Sequence, residues 1–284
     1  MIAILGGLGA AVAWGIAMIC SSRSSRLIDP QSVVAWVMLV GLVLVLPAVA
    51  LSGVPDRLGG TPGLWLILAG AGNVGGLLLA YAGMRIGQIA LVTPLVSTEG
   101  AIAAVIALLV GESLAPAAGL ALAVIAFGIV LAAIPERGFA DTAASARHPR
   151  AVALAIGAAL SFGGSLYAAG RAGAALPSAW VVLSARLIGS VVLTLPLALT
   201  GRLQLTRRAL PLVIASGVGE VLGFVSYTAA ARHGIAIAAV LGSQFAALAT
   251  LAGYVLFKER LGRVQLIGVA VVLTGVALLS ALRA

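Results

Sequence analysis

One apolar stretch of this chain, Gly70 to Glu112, is written twice. Its core, LAGAGNVGGLLLAYAGMR (68–85), returns as ASGVGEVLGFVSYTAAAR (215–232), 147 residues on. Gly70, Gly72, Val74, Gly76, Ala82 and Arg85 fall on Gly217, Gly219, Val221, Gly223, Ala229 and Arg232. The same shift carries Glu112 onto Glu259 and Gly128 onto Gly275. Upstream, GAAVAWGIAMICSSR (9–23) matches GAALSFGGSLYAAGR (157–171) at a shift of 148. Whatever the first half folds into, the second half must fold into as well.

Composition says where that fold lives. Hydrophobic residues make up 62% of the 284, and charged residues only 9%, against about 25% in soluble domains. Ten apolar segments long enough for membrane helices can be read: 2–20, 32–52, 63–84, 88–110, 115–134, 151–170, 177–200, 210–231, 234–257 and 264–282. None alternates like a strand, so the sequence predicts an all-α integral membrane protein. The polar interval PERGFADTAASARHPR (135–150) separates a first five-helix repeat (1–134) from a second (151–284) and reads as a connecting loop. The N-terminal run has no basic region before it and belongs to the repeat, so it is read as a mature helix rather than a signal peptide.

Five helices per repeat is an odd number. Equivalent helices must then cross the membrane in opposite directions, giving inverted repeats, an arrangement of secondary transporters with a site near the midplane. The net charge of +9 falls between the apolar segments, which points to membrane topology rather than nucleic acid. Twelve of the 17 Lys and Arg lie in or beside the odd-numbered connections. Four (Arg57, Arg171, Arg232, Arg283) lie at the other ends, and Arg186 sits inside a segment. By charge, the odd connections are cytosolic and both termini lie outside.

Trp14–Gly15, the series Tyr81, Pro94, Gly111–Glu112, and Lys258–Glu259 followed by Gly268 and Gly275 resemble the EamA-type family of drug/metabolite transporters. The similarity spans nearly the whole chain. It implies ten transmembrane helices as two inverted five-helix repeats, and either export of amino acids or other small metabolites, as in YddG-like exporters, or uptake of sugars and related solutes. It also implies an inner-membrane location and cytosolic termini, the reverse of the charge count. The chain departs from the family at Leu241, where Pro94's counterpart is often proline, and at Phe162, where tryptophan is usual.

Glu99 and Glu220 are the two carboxylates near the middle of apolar segments. An ionised carboxylate there costs about 2.5–3.5 kcal/mol, so it must be paired, wetted or protonated. All three conditions suit a transport pathway or proton relay. Glu220 is the twin of Asn73, whereas Glu99 is the twin of Ala246, close to Gln244. Arg186 is a partner for either glutamate or for a substrate carboxylate. Trp14, Tyr81, Phe162, Tyr167, Tyr227 and Phe245 are expected pathway walls, Asn73 and Gln244 expected polar pathway residues, and Pro94 an expected helix hinge. The pairs Gly72/Gly76 and Gly219/Gly223 are expected helix contacts.

The literal GxGxxG at 70–75 follows no strand and is rejected as a nucleotide motif. Cys20, His148 and His233 make no metal spacing, and no cofactor is expected. No nucleophile–base grouping supports a membrane-embedded enzyme. The expectation is a monomeric secondary transporter working by alternating access on a small-molecule substrate, with proton coupling through the glutamates. A carrier of hydrophobic cations or lipid-linked molecules is the alternative.

Overall fold

The computed structural model describes residues 1–86, 92, 95–133, 149–245, 247–248 and 262–282. Ten helical rods account for nearly all of them. They are α1 (Ile2–Ser24), α2 (Pro30–Ser52), α3 (Thr61–Ile86), α4 (Glu99–Leu109), α5 (Pro116–Ala133), α6 (Pro149–Ala175), α7 (Ser178–Leu199), α8 (Leu210–Ala231), α9 (Ile235–Gly242) and α10 (Arg263–Ala281). Six of these are long and apolar enough to cross a bilayer: α1, α2, α3, α6, α7 and α8. Leu5, Ile67, Leu109, Leu120, Leu199 and Leu273 are each more than half exposed on the outer surface. Water would not tolerate such a surface, whereas lipid chains cover it. The interval 134–148, which holds most of the expected connecting loop, lies outside the described residues.

The packing repeats about a pseudo-twofold axis. α1 packs on α8, and its counterpart α3 packs on α6. Likewise α2 on α8 has its counterpart in α3 on α7, and α1 on α9 in α4 on α6. The equivalent pairs α2/α7, α4/α9 and α5/α10 meet each other directly.

Side-chain register shows how these pairs run. Gly128 meets Val272, Gly268 meets Ala132 and Gly275 meets Ile125, so α5 and α10 are antiparallel. Gly41 lies against Arg186 and Gly189 against Met38, so α2 and α7 are antiparallel too. Both of these equivalent pairs therefore run in opposite senses, as an inverted repeat requires.

The duplicated glycines sit at the tightest approaches. A Cβ on Gly72 would overlap Ser161 and Ser165, and one on Gly76 the Phe162 ring. A Cβ on Gly219 would overlap Ala13 and Ala17, and one on Gly223 the Trp14 indole. Serines lock the same seams. Ser165 Oγ donates to the Ala69 carbonyl at 2.6 Å and Ser216 Oγ to the Ala17 carbonyl at 3.0 Å. Ala69 and Ser216 are twins, as are Ala17 and Ser165. In a dry interface, close van der Waals contact and such hydrogen bonds supply the association that hydrophobic burial cannot.

Two segments expected to be single helices are broken. The fourth turns at Ser97–Thr98 before α4 starts at Glu99, and the ninth turns at Ser243–Gln244 after α9 ends. These are equivalent depths in the two halves. At each break a hydroxyl donates to the carbonyl three residues back: Thr98 Oγ1 to Leu95 at 2.7 Å and Ser243 Oγ to Val240 at 3.0 Å. That bond competes with helical propagation. Pro94, the expected hinge, lies outside the described residues, but the second break forms with Leu241 in the corresponding place. The breaks cross at Gly100, which abuts Ser243 and the Ala239 carbonyl.

Glycines on these seams should resist enlargement. Gly223→Val should lower the thermal midpoint in detergent, since overpacking a tight contact costs about 1–3 kcal/mol. Gly119→Ala, where a Cβ would meet open space, should leave the midpoint unchanged or raise it. Equal midpoints for Gly223→Val and wild type would disprove the close-packing account.

Candidate functional site

The breaks and the glycine seams leave a cavity of about 270 Å³ between the halves. That is near the lower end for ligand pockets, about 300–1,000 Å³. Trp14, Asn73, Glu99, Phe162 and Glu220, all expected pathway residues, line it. Met38, Phe224 and Phe245 complete the wall. Met38 and Phe224 carried no signal in an apolar sequence, because only their facing partners mark them.

Each polar group is positioned by a feature already described. Glu99 is the first residue of α4, so the break at Ser97–Thr98 sets its carboxyl at the cavity. It is 8% exposed and makes no hydrogen bond or ion pair among the described residues. Asn73 stands between Gly72 and Gly75–Gly76 on α3, and its Oδ1 is buried without a partner. Glu220 takes the same place on α8, between Gly219 and Gly223.

Glu220 is already matched. Its Oε2 accepts from Arg186 Nη2 at 2.9 Å. Arg186 is fully buried behind the cavity wall. Its stem fits a notch that Gly41 leaves open, Nη1 reaches Met38 Sδ at 3.2 Å, and Cζ lies 5.4 Å from the Phe224 ring centroid. Nε has no partner. Just beyond Arg186, α7 relaxes into a π-helical turn at Ser190–Thr194, a distortion often found beside functional sites.

The remaining expected residues lie elsewhere. Tyr227 is fully buried under the cavity, its hydroxyl donating to the Leu166 carbonyl at 2.7 Å. Tyr167 turns away to a cluster with Trp65 and Arg171. Gln244 is buried at the second break with Nε2 unpaired. The side chain of Tyr81 lies outside the described residues. Glu112, noted in the sequence for its twin and in the family series, caps α9: its carboxylate accepts from the Ile235 and Ala236 amides at 3.0 and 3.2 Å.

The cavity breaks the twofold symmetry. Ser21, Ala80 and Val96 line it, whereas their twins Ala169, Tyr227 and Ser243 are packed shut, each at most 1% exposed. The cavity therefore extends toward the end of the molecule where α1 and α3 finish, and the opposite end is closed.

Ten rods in two interlocked antiparallel halves, an apolar outer surface and a central cavity with buried charges define a polytopic membrane protein. The sequence match agrees. The family model described as the EamA-like transporter family matches residues 1–134 and again 149–281, and the chain belongs to that family: it is a membrane transporter. A crystal structure of another protein superposes with a TM-score of 0.81, covering 99% of this chain and 97% of that one at 18% identity, which shows a shared fold. No curated protein matches the sequence.

The ion pair gives a direct test. Glu220→Gln should strand a buried guanidinium and destabilise the protein by about 3 kcal/mol, read as a lowered thermal midpoint. Arg186→Met combined with Glu220→Gln should recover most of that loss. A double variant no more stable than Glu220→Gln alone would show that the pair does not carry the interaction.

Proposed function

We propose that this protein is a multi-pass transporter of the inner membrane that carries small amine-bearing metabolites, amino acids included, outward by alternating access. The ten apolar segments cross the bilayer as two inverted five-helix repeats. The observation that carries the reading is the asymmetry of the cavity. Two halves with matching contacts hold opposite ends of the molecule in different packings, one open and one shut. Exchanging those packings between the halves would expose the same central residues to the other face, which is the transport cycle of inverted repeats. The residues described around the cavity all come from one chain, in keeping with action as a monomer, and those residues include no nucleophile–base grouping.

Glu99 supplies the coupling. A carboxylate in an apolar wall without a protein partner is stable only when protonated, hydrated or matched by a bound cation. Among the described residues, Glu220 with its partner Arg186, and Tyr227, are the ionisable groups within electrostatic reach of it. The first two neutralise each other, and the Tyr227 hydroxyl is held by Leu166. One proton and one ammonium group then compete for Glu99, so a proton entering from one face releases the substrate there.

In proteoliposomes, a pH gradient should drive uphill accumulation of a labelled amine by wild type and not by Glu99→Gln. Accumulation by that variant at the wild-type level would remove Glu99 from the mechanism. Orientation is tested apart. The Arg-rich ends of α1, α3, α7 and the fifth and ninth segments belong to the cytosol by charge, so a reporter fused after Ala284 should be active only if it works outside the cell. Activity of a reporter that works only in the cytosol would reverse the orientation.

A further inference from the structure

We infer that the cavity selects organic monocations, amines without a carboxylate, over amino acids and anions of the same shape; this rests on the transporter reading and sharpens its substrate class. The charged groups at the cavity decide this. Two acidic side chains line the cavity, Glu99 and Glu220, and Arg186 lies behind its wall. Arg186 and Glu220 form a 2.9 Å ion pair and cancel. Glu99 is left with no ion pair and no hydrogen bond among the described residues, though it is 8% exposed. When Glu99 gives up its proton the site carries one unmatched negative charge, and a ligand with one positive charge neutralises it.

The rest of the wall agrees. Trp14, Phe162, Phe224 and Phe245 line the cavity. Trp14 meets Phe224 and Phe245 edge to face, with ring centroids 5.3 and 6.5 Å away. Aromatic faces attract ammonium groups and pack well on a flat apolar body. Asn73 Oδ1, buried and unpartnered at the cavity, accepts a hydrogen bond and donates none. A volume of about 270 Å³ holds about nine waters at liquid density, room for a one-ring amine.

A carboxylate on the ligand finds no such welcome. The cation that could receive it, Arg186, is fully buried behind Phe224 and Met38 and already spent on Glu220. Taking it for the ligand would leave Glu220 unmatched in turn. An amino acid would thus bring one group that fits and one buried charge that does not.

Four probes of one shape test this on the purified full-length protein in detergent: phenethylamine, phenethyl alcohol, L-phenylalanine and phenylacetate, titrated calorimetrically. Phenethylamine should bind at least tenfold more tightly than L-phenylalanine or the alcohol, with phenylacetate weakest. Glu99→Gln should lose at least tenfold toward phenethylamine and nothing toward the alcohol. If that variant does not fold, the wild-type series alone decides. Phenylalanine binding as tightly as phenethylamine, or the amine binding no better than the alcohol, would overturn the inference. Counterflow of the same probes keeps the two proposals apart. Counterflow of phenylalanine without phenethylamine sinks the cation inference and spares the transporter. Tight phenethylamine binding with no counterflow of any probe supports the site and sinks the carrier cycle.

Discussion

Everything in this molecule depends on two helix pairs approaching without side chains between them. α3 reaches α6, and α1 reaches α8, only because Gly72, Gly76, Gly219 and Gly223 lack a Cβ at the seam. In lipid there is no water to squeeze out, so close contact and serine-to-carbonyl bonds such as Ser165 to Ala69 must hold the halves. The same seams fix where the cavity lies. Asn73 and Glu220 each stand beside a glycine of these pairs, so the closeness of the seam places their polar groups at the midline. Structure and site are therefore two consequences of one packing rule.

The site itself is a problem in charge accounting. A membrane interior tolerates charge that is matched and rejects charge that is not. Arg186 and Glu220 satisfy the rule between themselves, at the cost of a notch at Gly41 and an unpartnered Nε. Glu99 does not satisfy it. Its position at the start of α4 follows from a break whose twin, at Ser243–Gln244, lies in the other half. The duplication supplies matching backbone breaks, and only one of them carries a carboxylate. An architecture near to twofold thus holds a site that is far from it.

The sequence made the architecture legible because it depends on residues that repeat. The glycine pairs, the odd helix count per half and the apolar runs led directly to inverted antiparallel repeats. Glu99, Glu220 and Arg186 stood out because ionisable groups are rare at that depth. What stayed hidden depends on facing partners rather than on a residue's own type. Tyr167 and Tyr227 have the composition of pathway walls, yet one stacks by Trp65 and the other is bonded to Leu166 beneath the cavity. Phe224 and Met38 read as ordinary lipid-facing or core residues until Arg186 is seen between them. The ninth segment's break was hidden, since an apolar run without proline reads as one rod, whereas Pro94 marked the fourth; hydroxyl competition at Thr98 and Ser243 shows only in the hydrogen bonds.

The central claim is that the two halves exchange packings, so that one end closes as the other opens. Twin label pairs measure this directly: Leu27 with Arg150 at the end where the cavity extends, and Ala175 with Ile2, their counterparts at the closed end. Pulsed spin-label distances in proteoliposomes, with and without a saturating amine, should change reciprocally, the first pair shortening as the second lengthens. Distances that stay fixed, or that shift in the same direction, in a preparation that transports would contradict the account.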